Sequence, residues 1–405
     1  ALALCAGLFA MQPALAGRRS SEDLTQTIHN SGVDAQLAGR LEEANQRFSQ
    51  ACDLGFQESC YALASNLHHA RGTPRDDARS AKLYAGACQN YHPDACNNLG
   101  LLYMNGEGVP KNYDLAMANY RLACDGKAYN GCNNIGLLLR EGWGVTADQA
   151  QAVRYFGQAC DEGVALGCFN LGMQFATGKG VSQNPQRANE LFVASCAREI
   201  ADACYEAGVM ASEGKVVPRD FAKALAFYEQ ACNGGHAYGC YNLGVALRDG
   251  EGVAVDNARA ADLFEKGCDA DIPQGCFNLG LLLQKGEGRK WDIVRALDLF
   301  ERGCRGKVPE SCFSQATVYR GGQGLPKDLV KSREGYIQAC NLGMNLGCYN
   351  VGVYYRDAQG GARDLPLAAS YFERACKAGE ASACNNLGVM YIRGEGVARS
   401  FPEAR

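Results

Sequence analysis

Ten cysteine pairs constrain this chain more than any other feature. Each pair is spaced C-x7-C, and each begins 36 residues after the previous one. The pairs are Cys52 with Cys60, Cys88 with Cys96, Cys124 with Cys132, Cys160 with Cys168, Cys196 with Cys204, Cys232 with Cys240, Cys268 with Cys276, Cys304 with Cys312, Cys340 with Cys348 and Cys376 with Cys384. Zinc sites favour closer pairs with further Cys or His beside them, and five scattered histidines cannot complete ten such sites. A redox motif would read C-x-x-C, and none occurs. An even set at one repeated spacing reads as a disulfide framework, which forms where the environment is oxidising. The twenty-first cysteine, Cys5, stands apart in an apolar N-terminal stretch.

The period resolves into two helices when the first cysteine of each pair is numbered 0. Position −12 is Asp or Asn in nine repeats: Asp76, Asn112, Asp148, Asn184, Asp220, Asp256, Asp292, Asp328 and Asp364. Such a residue accepts backbone N–H groups as a helix N-cap. Apolar or small residues follow at −8, −5, −4, −1 and 0, one stripe of an α-helix, with an aromatic ring at −4 in all ten repeats. We term this the aromatic helix. After a short turn, the second helix carries Cys at +8, Gly at +12 in eight repeats (Ala64 and Ala316 in the others), and often an aromatic residue or Leu at +15. Glycine inside a helix costs about 1 kcal/mol against Ala, so its recurrence predicts close approach of a neighbouring helix with the aromatic ring as the opposing knob. This glycine helix ends in a G-x-G-V turn such as Gly106-Glu107-Gly108-Val109. With few residues between the helices, positions 0 and +8 face each other across an antiparallel pair, within disulfide reach.

Residues 40–399 hold ten such repeats, beginning at 40, 76, 112, 148, 184, 220, 256, 292, 328 and 364. Residues 1–16, closing on Ala14-Leu15-Ala16 before Gly17, Arg18 and Arg19, read as the later part of a secretory signal. Residues 17–39 form a lead-in. Ser400 takes the next N-cap position, so 400–405 read as the start of a further repeat and the chain as a piece of a longer protein. An exported protein, periplasmic or secreted, is the expectation. Lys plus Arg total 40 against 44 Asp plus Glu, without the basic stripe that a nucleic-acid partner calls for. No apolar run reaches the roughly 18–20 residues of a membrane span.

The Leu-Gly-x-x-Tyr and Ala-x-x-x-Phe/Tyr pieces match the tetratricopeptide pattern, but the period of 36 and the G-x-G-V turn resemble the Sel1-like repeat. With paired cysteines in an exported chain, the sequence is similar to the Hcp-like cysteine-rich proteins, often labelled β-lactamase-like. The resemblance spans about 40–399. Ala62-Leu63-Ala64 in the first repeat departs from it, as does Val216-Val217-Pro218, where G-x-G-V is expected. It implies an all-α, right-handed α/α superhelical solenoid that binds a protein or peptide, with a peptidoglycan-related envelope ligand as a further option. No cofactor and no metal is expected. The alternative it carries is β-lactam binding or hydrolysis.

By the same resemblance the glycine helix lines the concave groove, with +9, +13 and +16 facing it. Position +9 gives Tyr61, Phe169, Tyr205, Tyr241, Phe277, Phe313 and Tyr349; position +16 gives Arg140, Arg248, Arg320 and Arg356. Aromatic rings and Arg are enriched at binding hot spots, although +9 also suits burial between repeats. Asn at +10, in seven repeats, is expected to hold a turn carbonyl. Support for catalysis is thin. The one S-x-x-K, Ser212-Glu213-Gly214-Lys215, runs into a turn, and neither Ser-Asp-Asn nor Lys-Thr-Gly occurs. His68 and His69 are adjacent and should point to different sides of a helix, while His29, His92 and His236 lie in other repeats.

Overall fold

The computed structural model describes residues 13–322 and 324–404. Most of the segment read as a secretory signal, residues 1–12, therefore lies outside the described residues, and Cys5 with it. Within them are twenty-one helices and no strand. The helix Pro13–Leu37 comes first and runs through the junction between residues 16 and 17. Ten helix pairs follow, from Leu41–Asp53 with Gln57–His68 to Leu365–Lys377 with Ala381–Arg393. The chain divides into two compact halves, up to Ser195 and from Cys196 onward. In each half the helices pack chiefly on their neighbours in sequence, which makes it an all-α solenoid. Residues 401–404 form turns, so the segment after Ser400 does not extend into a described helix.

The sequence signals map onto this architecture residue by residue. All nine Asp or Asn residues at −12 accept the backbone N–H three residues on, at 2.9–3.0 Å. The cysteines join in the order that their spacing implies. In the first half, Cys52 bonds Cys60, Cys88 bonds Cys96, Cys124 bonds Cys132 and Cys160 bonds Cys168. In the second, Cys196 bonds Cys204, Cys232 bonds Cys240, Cys268 bonds Cys276, Cys304 bonds Cys312, Cys340 bonds Cys348 and Cys376 bonds Cys384. Cα atoms across these bonds lie 4.4–4.9 Å apart. Each bond joins the last turn of an aromatic helix to the first turn of a glycine helix, as the short connection requires. All ten rings at −4 are buried.

The recurrent glycine at +12 faces the −4 ring of the following repeat. A Cβ on Gly100, Gly136, Gly172, Gly208, Gly244, Gly280 or Gly352 would lie 2.6–2.9 Å from that ring, a distance that neither group tolerates. Where +12 is Ala, the neighbouring helix changes to match. Ser replaces the usual Ala at −8 of the next repeat, and its hydroxyl donates to the alanine carbonyl at 2.8 Å in both Ser80–Ala64 and Ser332–Ala316. The second glycine of the turn, at φ near +70°, lies against backbone at the start of its own repeat's aromatic helix; Gly108 abuts Asp77 and Gly288 abuts Asn257. That contact folds the loop back over the helix pair.

Candidate functional site

The glycine helices carry one repeated constellation. Each of the seven rings at +9 is half-buried and tilts against the −4 ring of the next repeat. The centroid separations run from 5.1 Å in Phe313–Tyr336 to 6.3 Å in Tyr205–Tyr228. Tyr61, Phe169, Tyr241, Phe277 and Tyr349 fall between these limits. Part of each ring supports the stacking of repeats and part remains accessible. One turn on, at +13, half-buried aliphatic side chains including Leu137, Val209, Val245, Leu281 and Val353 extend the apolar strip.

The four arginines at +16 also reach the −4 ring of the next repeat. Arg140, Arg248, Arg320 and Arg356 place their guanidinium carbons 5.9–6.0 Å from the centroids of Phe156, Phe264, Tyr336 and Phe372, the outer limit for a cation–π contact. Three of them are also fixed by hydrogen bonds. Arg248 grips Asp249 through Nε and Nη2, each at 2.7 Å, and donates from Nη1 to Asn278 at 2.7 Å. Arg356 repeats this with Asp357 and Asn386, and Arg140 donates from Nε to Glu141 and from Nη1 to Asn170. The arginine bond holds the carboxyls of Asp249 and Asp357 below the usual carboxylate range. These arginine side chains retain only 28–31% exposure. Arg320 differs: Gly321 follows it in place of an acid, and it has no carboxylate partner among the described residues.

The asparagines at +10 correct the sequence reading. Asn350 does donate to a carbonyl, that of Leu346, but the others whose bonds are defined act between side chains. Asn134 donates to Asn97 at 2.9 Å and Asn170 to Asn133 at 2.8 Å, each across one repeat boundary. Asn278 donates to the Tyr241 hydroxyl, and Asn98 to Tyr84 within its own repeat. The repeat-to-repeat offset creates the pairs that cross a boundary, so single-repeat reasoning missed them. Their signal was the spacing of 30 from Arg to Asn and 37 from +9 to +10.

The residues of the S-x-x-K match are not brought together. Gly214, at φ +70°, ends the helix before Lys215, whose amine pairs with Glu213 at 3.1 Å. The Ser212 hydroxyl donates to Val209 O and meets the Tyr228 hydroxyl at 3.0 Å. A cleft of about 230 Å³ opens there beside Asn242 and Val245. A larger one, about 600 Å³, lies over the Cys304–Cys312 disulfide, where Glu301, Arg305, Lys331 and Glu334 mix both signs of charge.

The histidines are dispersed and engaged. His29 meets Ser59, His68 meets Asp77, His92 meets Glu58 and His236 meets Asp202. His68 and His69 do not diverge as expected. The helix ends at His68 and Ala70 takes φ +54°, so the two rings meet edge-on at 4.7 Å. No group of three His, Cys, Asp or Glu able to hold a metal occurs among the described residues. None of the described helices is long and apolar enough to cross a membrane.

Comparison with known proteins places this geometry in context. The model of the Sel1 repeat matches residues 57–92, 93–127, 130–164, 165–198, 201–236, 237–272, 273–307, 309–344, 345–380 and 381–405. Most of these segments open at a glycine helix and run through the aromatic helix after it, so the Gly–ring contact falls inside one repeat and the disulfide joins successive repeats. A protective antigen present in uropathogenic Escherichia coli strains has a similar fold. Its TM-score is 0.68 at 23% identity, covering 89% of this chain and 85% of that one. A Sel1 repeat protein from Oxalobacter formigenes gives 0.57 at 21% identity, covering 76% and 89%. Helicobacter pylori cysteine rich protein B matches 33% of this chain with 98% of its own, at 24% identity and a TM-score of 0.28. No curated protein sequence matches the chain.

Proposed function

Because the chain belongs to the Sel1 repeat family, a family of interaction scaffolds, we propose that it binds a protein or peptide along the face that the glycine helices form within a half of the chain. The observation that carries this is the row of half-exposed +9 rings and +13 aliphatics, already stacked and immobilised. Rings held in place by the fold lose little entropy on binding, and a preformed apolar strip with a polar border is the usual anatomy of a peptide groove. Arg140, Arg248 and Arg356 form that border with their paired acids. Arg320 is the arginine best placed to pair with a carboxylate of the partner. The ten disulfides support an exported setting, periplasmic or extracellular. β-Lactam chemistry gains no support from the placement of Ser212 and Lys215.

The test is selection of peptides from a random display library on the oxidised chain. The selected binders are then titrated against Val245→Lys and Leu281→Lys, which alter the strip while leaving the packed rings in place. Loss of affinity of tenfold or more, with an unchanged far-UV circular dichroism spectrum, is expected. Binders indifferent to both substitutions, or no enrichment at all, would overturn the reading.

A further inference from the structure

Two four-residue clusters recur four repeats apart, one in each half of the chain. In the first, His92 caps the helix Pro93–Asn105, its Nδ1 accepting the Ala95 N–H at 3.2 Å while Nε2 meets Glu58 at 3.1 Å. Its ring stacks on Tyr61, with centroids 4.7 Å apart and planes 17° off parallel. In the second, His236 caps Ala237–Asp249 by accepting the Gly239 N–H at 3.1 Å, with Nε2 3.5 Å from Asp202. It stacks on Tyr205 at 4.3 Å and 23°. The other ionisable groups at these sites are Asp94 in the first, and Tyr238 and Glu206 in the second.

An imidazole that accepts at Nδ1 must carry its single proton on Nε2, where the carboxylate receives it. Both nitrogens are thereby committed to the neutral ring. When a second proton arrives, Nδ1–H faces backbone N–H, and no ring flip restores an acceptor because both nitrogens then donate. The new positive charge also sits at a helix N-terminus, where the macrodipole disfavours it. Against this stands the attraction of Glu58 or Asp202. These carboxylates are 61% and 63% exposed, so solvent screens the pair.

We propose that His92 and His236 form a pH-responsive pair of caps: protonation releases the first turns of both helices and lifts the imidazoles from Tyr61 and Tyr205. Burial, which lowers the affinity of His236 for its proton, agrees with a neutral resting state. That this exposes rings of the binding face rests on the reading above; the uncapping itself does not.

Hydrogen exchange of the free, oxidised chain tests the uncapping without any ligand, so it can fail independently of the docking proposal. Exchange is followed at pH 7.5 and 5.5, corrected for intrinsic rates, in segments 93–98 and 237–242. Wild type should lose about fivefold in protection at pH 5.5, the size of one lost cap. His92→Asn with His236→Asn keeps a cap acceptor that does not titrate, and should show no such loss. Each single variant carries the same comparison in its own half should the double variant fail to fold. Unchanged protection in wild type, or equal loss in the Asn variants, would overturn the proposal.

Discussion

Gly280→Ala should destabilise the chain although it replaces the second-worst helix former with the best. Ala gains about 1 kcal/mol over Gly inside a helix. Its Cβ, however, would lie 2.7 Å from Phe300 Cε1 and 2.9 Å from Cδ1. The Phe300 ring is fully buried and has Phe277 at 6.1 Å on another side, so it has nowhere to retreat. Overpacking of this kind costs about 1–3 kcal/mol, leaving a net loss of roughly 0–2 kcal/mol once the helical gain is subtracted. Gly267 supplies the control in the same half: a Cβ there meets Tyr241 Cβ at 3.8 Å and Gly275 Cα at 4.0 Å, both ordinary contacts. Gly267→Ala should therefore stabilise by up to about 1 kcal/mol. Urea unfolding of the oxidised proteins, followed by circular dichroism at constant m, reads both signs. A Gly280→Ala midpoint equal to or above that of Gly267→Ala would refute the ring-against-glycine account.

Reduction should matter more than any single substitution. Each nine-residue disulfide loop is worth roughly 2–3 kcal/mol on the chain-entropy model, and a urea midpoint unchanged by reductant would contradict the staples' role. Lowering pH from 7.5 to 5 should also destabilise: burial favours neutral His29 and His236, so the unfolded chain takes the proton more readily. That stability is complete above about pH 6.5 and is lost below it; a rising urea midpoint would reverse the sign. Arg248→Ala should cost about 1–3 kcal/mol by leaving Asn278 and Asp249 without their donor, whereas Arg320→Ala should change stability by less than about 0.5 kcal/mol, which parallel melts would distinguish. Ser212→Ala should leave hydrolysis of a chromogenic β-lactam where the wild-type chain sets it.

Much of the fold could be read from the sequence because a repeat confines its determinants to one period. The caps at −12 and the paired cysteines each act within about a dozen residues, and local spacing fixes their geometry. Of the contacts between repeats, the glycine at +12 against a neighbouring aromatic knob was legible from its recurrence; the polar contacts across the same boundary escaped. Asn170 looks like a turn residue until the offset between repeats places it beside Asn133 and Arg140. The exchange of Gly and Ala at +12 and −8 for Ala and Ser was present in the letters, at Ala64 with Ser80 and at Ala316 with Ser332. It became interpretable only once those positions, sixteen residues apart, were seen to touch.

The same offset decides how the binding face must be probed. A ring at +9 serves two purposes, since Tyr241 both presents an edge to solvent and braces Phe264, against which Gly244 is packed. Truncating it would remove a contact surface and loosen a repeat boundary at once, and in an array of nearest neighbours that loosening spreads to the adjoining helices. Loss of binding in such a variant would carry no information about contact. The +13 side chains are half-buried at the margin of the core and are not themselves part of a ring pair, so charge placed at Val245 or Leu281, with the circular dichroism spectrum as control, separates recognition from stacking. Tyr241→Phe supplies the complementary arm: it keeps the brace and removes only the hydroxyl that Asn278 reaches. If recognition resides in the apolar strip, this variant should bind as wild type does while the lysine variants fail. The opposite pattern would move the site to the Asn–Arg border.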